Sequence, residues 1–322
     1  MGTSPILDVD LLAFERGTAS ARAAVVDGVR RSLATGFVYI RSDLPEALLD
    51  DAYGLLGRFF ALAPERKQAF HAPESAGQTG YTGLLVETAA GSARADWKEM
   101  LNWSGPLPAA HPLRRRHPLL YPEPLLPEAE LPGITAVLLA FHTALAELQR
   151  RFLRVIAVAM GCAESFFDEM TLEAPTLSRA LRYPPMPEAP AGGHVWAAPH
   201  GDINLITALP RATAPGLQVL VEGEWIDAVP PEGRVIINSG LMLERLSNGT
   251  IPAGWHRVVA PAGSGSGERH SVVQFCHARP WTVLAPVASC CTAENPQRWP
   301  GITASDALEE VLYRIQLLPP DP

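Results

Sequence analysis

The 322-residue sequence holds only four cysteines, Cys162, Cys276, Cys290 and Cys291, in neither a thiolate-metal spacing nor a secretory framework. Disulfide stapling is therefore not expected, and the adjacent Cys290 and Cys291 read as incidental reduced thiols of a cytoplasmic protein. No apolar run approaches the roughly 20 residues that span a bilayer, and the N-terminus shows no basic region leading into an apolar core and a cleavage site. A soluble, non-exported chain without a membrane partner is the expectation. Basic charge is also in short supply: 26 Lys and Arg against 34 Asp and Glu leave a net charge of −8. That speaks against a nucleic-acid partner, which wants a basic face, and Arg114-Arg115-Arg116 reads as a solvated loop. There is no internal repeat.

What is abundant is proline, 31 residues spread in short clusters, as suits a loop-rich β protein. A short strand is expected over Pro5 to Asp10, a helix from about Ser20 to Thr35 stopped by Gly36, and a buried strand at Phe37-Val38-Tyr39-Ile40. Further helices are expected from Glu46 to Leu62 and from Pro64. The stretch from His71 to Pro127, rich in Gly and Pro breaks and in aromatics, reads as a long ordered loop. The longest helix runs from Ile134 to Met160, apolar at Val137, Leu138, Phe141, Leu145, Leu148, Phe152 and Val155. From Leu177 onward short β runs alternate with turns, which predicts a sandwich or jelly roll.

Chemistry concentrates between Ala198 and Pro210, read as one strand. Period two places His200 and Asp202 on one face, an imidazole and a carboxylate that together want a third metal ligand. His256, in a β run 54 positions after Asp202, can return beside them. Two histidines and one carboxylate on one side of a metal, with open positions opposite, is the donor set of non-haem Fe(II) oxygenases. Arg269 and Ser271 share a face of a later strand, and a guanidinium fork with a hydroxyl fits the distal carboxylate of a keto diacid.

With these residues in this order, the chain resembles the isopenicillin N synthase-like branch of the 2-oxoglutarate/Fe(II)-dependent oxygenases. Further landmarks follow in family order: Phe59-Phe60-Ala61-Leu62, Gly80-Tyr81-Thr82-Gly83, Arg182-Tyr183-Pro184-Pro185, Pro215-Gly216-Leu217-Gln218-Val219, Gly223-Glu224-Trp225 and Leu243 through Gly249. The resemblance implies a mainly β fold with flanking α, a double-stranded β-helix or distorted jelly roll with N-terminal helices and a long scaffold helix. One catalytic domain, 1–322, would comprise a helical and loop region (1–130), the scaffold helix (131–175), a jelly-roll core with the metal site (176–290) and a C-terminal segment (291–322). It departs from relatives at Ser239-Gly240-Leu241 and in a Gly/Ser-rich hairpin from Ala262 to Gly267.

The resemblance carries His200, Asp202 and His256 over as catalytic iron ligands, Arg269 and Ser271 as the co-substrate clamp, and Tyr183 as a hydrogen-bond partner of 2-oxoglutarate. Arg179 matches a substrate-binding arginine of the expandases. Tyr81, Trp97, Lys98 and Trp103 fall where relatives place substrate-facing walls, and Trp196 stands at the sheet entrance as a substrate contact or as packing. His194 and His270 are expected to stay out of the site. Fe(II), 2-oxoglutarate and O2 would then oxidise a small-molecule metabolite in bacterial specialised metabolism, by hydroxylation, desaturation or ring formation or expansion. Asp202 argues against halogenation, because halogenating relatives leave that position vacant. The alternatives are a four-electron oxidase that uses no 2-oxoglutarate, or a catalytically silent β-sandwich binding module.

Overall fold

The computed structural model describes residues 4–88, 94–186, 195–260 and 267–314. His194 and nearly all of the Ala262 to Gly267 hairpin lie outside the described residues. In chain order the strands of the two principal sheets are β1 (Asp8–Asp10), β2 (Phe37–Arg41), β3 (Gly80–Thr82), β4 (Glu99–Ser104), β5 (Leu177–Tyr183), β6 (Ala197–His200), β7 (Ile206–Leu209), β8 (Leu217–Val221), β9 (Glu224–Asp227), β10 (Arg234–Ser239), β11 (His256–Val258) and β12 (Arg269–Cys276). The larger sheet has the order β1-β2-β10-β7-β12-β5-β4-β3 and the smaller β6-β11-β8-β9. Between them lies one apolar cluster, with Phe37, Met100, Leu181 and Ile236 from the large sheet and Ala197, Leu217, Val219 and Val258 from the small one. This is the expected jelly roll.

The other face of the large sheet is covered by helices. The scaffold helix Ile134–Ala159 buries Leu138, Phe141, Leu145, Leu148, Phe152 and Val155, a stripe at helical spacing. Its Gln149 Nε2 donates to the carbonyls of Ile206 (3.2 Å) and Gln274 (2.8 Å), a polar tie from helix to sheet inside the core. Gly36, at φ 80°, ends the first long helical stretch and touches Gly254: a Cβ on Gly36 would sit 2.5 Å from the Gly254 Cα. Only glycine fits there, and the contact fixes the segment leading to His256.

Two expectations need correction. Ala198 to Pro210 is not one strand, because β6 ends at His200 and β7 begins at Ile206 in the other sheet. The polar His-Gly-Asp head is a crossover between sheets, which places the apolar tail in a different layer. His71 to Pro127 is not all loop, since β3 and β4 extend the large sheet from β5. The strand Glu99–Ser104 is buried at its first five positions, so the alternation that betrays a half-exposed strand is missing. Its polar members are satisfied inside: Glu99 by Lys67 and Arg182 at 2.6 Å each and by Tyr81, Asn102 by Arg179 at 2.7 Å.

Candidate active site and metal centre

β6 and β11 are antiparallel neighbours with His200 directly opposite His256, so the ladder itself brings together residues 56 apart in sequence. Their ring centroids lie 4.3 Å apart. His200 Nδ1 bonds the Ala198 carbonyl at 2.8 Å and His256 Nδ1 the Gly254 carbonyl at 2.9 Å. A carbonyl only accepts, so each Nδ1 carries a proton and Nε2 is the ring nitrogen left to face a metal.

Asp202 is set by the crossover. Thr207 Oγ1 (2.5 Å) and Asn238 Nδ2 (2.8 Å) both donate to Oδ2, leaving Oδ1 facing His200 Nε2 at 3.9 Å. The ligand atoms of His200, Asp202 and His256 all lie within 4.8 Å of one another. Burial, reinforced by the neighbouring His256, lowers the His200 pKa to about 4, so its imidazole is neutral near pH 7. For Asp202 burial pushes upward, but the two imidazoles and the bonds from Thr207 and Asn238 outweigh it and hold the carboxyl below its usual range. The neutral His200 imidazole and the ionised Asp202 carboxylate are in the protonation states that suit a divalent cation.

The triad opens on a cavity between the sheets, whose far wall is made by alternate residues of β5 and β12. Arg179, Leu181 and Tyr183 face it from one strand, Arg269, Ser271, Val273 and Phe275 from the other. Arg269 is 1% exposed. Its Nη1 donates to Ser271 Oγ at 2.9 Å and its Nε to the Ala214 carbonyl at 3.1 Å, and its guanidinium lies 5.2 Å from the Tyr183 ring. Among the described residues no carboxylate pairs with it. A buried guanidinium stays charged, and an uncompensated buried charge is costly, so this end of the cavity is built for an anion.

The remaining residues divide by strand parity. Lys98 and Arg179 line the cavity. Lys98 Nζ lies 2.6 Å from Glu87 and 2.7 Å from Asp96, and Arg179 Nη1 lies 3.1 Å from Glu87. Asp96 also accepts from the Ala198 amide at 3.0 Å, tying this network to the strand of His200. Tyr81 and Trp103 do not face the cavity. Tyr81 pairs with Leu101 on the helix side, where its hydroxyl meets Glu99, and Trp103 is fully buried there with Nε1 donating to the Leu138 carbonyl at 3.1 Å. Trp97 is half-buried against the inter-sheet core, outside the cavity lining. Trp196 is buried packing: it contacts the Tyr183 ring at 5.5 Å and donates to the Pro184 carbonyl. His270 points to the other face of β12, against Phe60. Sequence reading missed Asn238, Thr207, Glu87 and Asp96; only Asn238, a polar residue closing the apolar run Val235-Ile236-Ile237, carried a local signal.

Two facing sheets that hold two imidazoles and one carboxylate at one side of a cavity, beside a buried arginine with no carboxylate partner among the described residues, define a mononuclear non-haem metal enzyme that takes an anionic co-substrate. Known proteins agree. Residues 5–128 match the family described as non-haem dioxygenase in morphine synthesis N-terminal, and residues 175–278 the 2OG-Fe(II) oxygenase superfamily. A 2-oxoglutarate-dependent dioxygenase of Dothideomycetidae sp. is 30% identical over 277 residues, covering 84% of this chain and 73% of the relative. The crystal structure of a protein of the 2OG-Fe(II) oxygenase family from Caulobacter crescentus superposes with a TM-score of 0.85 at 32% identity, covering 97% and 100% of the two chains. A full-length Neurospora crassa protein, crystallised in complex with alpha-KG and 5-formyluracil, superposes with a TM-score of 0.81 at 25% identity, covering 98% of each chain. The chain belongs to the 2-oxoglutarate/Fe(II)-dependent oxygenases. It is an oxidoreductase whose cofactors are Fe(II) and 2-oxoglutarate. No helix among the described residues is long and apolar enough to cross a membrane.

Proposed function

We propose that His200, Asp202 and His256 hold Fe(II), that Arg269 and Ser271 bind the distal carboxylate of 2-oxoglutarate beside Tyr183, and that a small, polar, uncharged metabolite is oxidised against the Lys98 and Arg179 wall. The observation that carries this reading is the buried Arg269 guanidinium, which faces the triad's cavity with no carboxylate partner among the described residues. With O2, the bound metal and keto acid supply the oxidising power, one oxidation of substrate accompanying each conversion of 2-oxoglutarate to succinate and carbon dioxide.

The chain's own work is placement. The two Nδ1-to-carbonyl bonds fix both imidazoles with Nε2 toward the metal, and Thr207 with Asn238 fixes which oxygen Asp202 presents. Arg269 and Ser271 orient the keto acid from its remote end. The apolar side chains Leu181, Val258 and Val273 help to keep water from the reacting centre. No general acid or base is required.

The substrate class rests on charge. Lys98 and Arg179 are already compensated by Glu87 and Asp96, so this wall offers both donors and acceptors but little net attraction for an anion. The Neurospora crassa structure with 5-formyluracil accords with a small polar substrate. Hydroxylation, desaturation or ring formation would follow from which carbon the wall presents. We place the reaction in bacterial specialised metabolism; the Caulobacter crescentus relative accords with the bacterial part of that setting.

Anaerobic addition of Fe(II) and 2-oxoglutarate should give a weak visible charge-transfer band, lost in His200→Ala and Asp202→Ala. A band that survives both substitutions would sink the assignment.

A further inference from the structure

We propose that Tyr53, on the helix Glu46–Phe60, is a positioning residue for 2-oxoglutarate that acts by locking Arg269 between strand β12 and the loop following β7. The inference rests on the clamp role proposed above for Arg269.

The need for such a lock is visible in the ladder. β12 pairs with β7 at Gln274, Phe275 and Cys276. β7 then ends at Leu209, followed by Pro210, which has no N–H to donate. Pairing resumes only as an isolated bridge between Ala212 and Ser271 and a bond from the Thr213 amide to the His270 carbonyl at 2.9 Å. The gap falls at Val272, within three residues of Arg269. There the Tyr53 hydroxyl substitutes for a strand. It accepts from the Val272 amide at 3.1 Å and donates to the Arg211 carbonyl on the loop. The Arg211 side chain is itself held to that helix by Asp50 (2.6 Å) and Glu46 (2.5 Å) and lies over the Tyr53 ring, 5.7 Å from its centroid. Three residues along the same loop, the Ala214 carbonyl accepts from Arg269 Nε at 3.1 Å.

One phenol thus fixes both backbone edges between which the guanidinium is suspended: the strand that carries Arg269 and the loop that holds its Nε. Removing the hydroxyl leaves the Val272 amide and the Arg211 carbonyl without this partner. The loop is then free to shift, and the guanidinium fork loses the orientation that bidentate carboxylate binding demands. The metal triad lies on β6, β11 and the crossover, outside this chain of contacts.

Anaerobic titration of the Fe(II)-loaded protein with 2-oxoglutarate, read by the charge-transfer band, tests it. Tyr53→Phe should raise the Kd for 2-oxoglutarate about five- to twentyfold, with Fe(II) affinity unchanged. In turnover the KM for 2-oxoglutarate should rise while kcat at saturation holds. Arg269→Gln, run in parallel, must weaken 2-oxoglutarate; an unchanged Kd there overturns the clamp reading and this inference with it. On the Arg269→Gln background Tyr53→Phe should add no further loss. Additive losses, or an unchanged Kd for Tyr53→Phe beside a weakened Arg269→Gln, overturn the Tyr53 inference alone. Should Tyr53→Phe show no cooperative thermal unfolding, Thr213→Ala, which deletes only the 2.8 Å bond from the His270 amide to Thr213 Oγ1 on the same loop, should shift the Kd in the same direction, and no shift overturns the inference.

Discussion

Asn238 Nδ2 donates to Asp202 Oδ2 at 2.8 Å, and with Thr207 it occupies that oxygen so that Oδ1 alone is turned toward the imidazoles. β10 and β7, which carry these two donors, are neighbours in the large sheet, with Asn238 opposite Thr207 in register. The carboxylate is therefore oriented from one sheet while the histidines are fixed in the other.

Asn238→Ala should accordingly lower Fe(II) affinity about 10- to 100-fold, the usual effect of losing a hydrogen bond to a ligating group. Anaerobic metal titration would measure it. An affinity equal to wild type would show that Thr207 alone is sufficient to orient the carboxylate.

How much of this was legible in the sequence depends on whether a residue's role is local. His200, Asp202 and His256 stand out as chemically distinctive donors beside apolar β runs, but what gathers them is the β6–β11 ladder and the crossover that carries Asp202, not the single strand that period two assumed. The faces of β4 could not. Glu99, Asn102 and Trp103 are all buried, so neither burial nor polarity separates the side facing the cavity from the side facing the helices. Register with β3 and β5 decides it, and register is set by pairing that local sequence does not encode. Glu87 and Asp96 were missed for a related reason, since their relevance comes only from the cations they compensate.

Trp103 allows that parity argument to be checked. Trp103→Phe removes the donor to the Leu138 carbonyl and leaves a smaller ring in the helix-side core, which should lower stability by about 1 to 3 kcal/mol. Fe(II) and 2-oxoglutarate affinities should be unaltered. Urea unfolding and ligand titration on the same preparation separate the two effects, and a large change in 2-oxoglutarate binding would contradict the placement.

The compensated wall makes a charge prediction. Glu87 sits 2.6 Å from Lys98 and 3.1 Å from Arg179. Burial alone would raise its pKa, but those two cations outweigh burial and hold the carboxyl well below the usual range. Glu87→Gln leaves the cations in excess and should create affinity for simple carboxylates. Calorimetric titration of the anaerobic Fe(II)–2-oxoglutarate complex with benzoate should show no binding to wild type and millimolar binding to Glu87→Gln, lost again when Arg179→Gln is added. Benzoate binding of equal strength to wild type would remove the argument for an uncharged substrate.

Stability should depend on pH through a histidine remote from the metal. His142, on the scaffold helix, is 4% exposed, bonds Ser178 Oγ at 2.9 Å through Nδ1, and is lowered by burial to about 4. In the unfolded chain an imidazole titrates near 6.5. Between those values the unfolded state binds a proton that the folded state does not, so stability falls as the pH falls. The contribution is fully present above about 6.5, is reduced by about 2 kcal/mol at pH 5, and levels off below about 4. His277, which burial also lowers to about 4, should add a similar dependence over the same window. Urea unfolding of the metal-free protein at pH 7 and pH 5 should therefore show a marked drop, and His142→Gln, which keeps a partner for Ser178 but cannot titrate, should show a drop smaller by about 2 kcal/mol. Parallel pH dependences in the two proteins would mean that His142 gains its proton without unfolding the core, which its enclosure between the scaffold helix and β5 argues against.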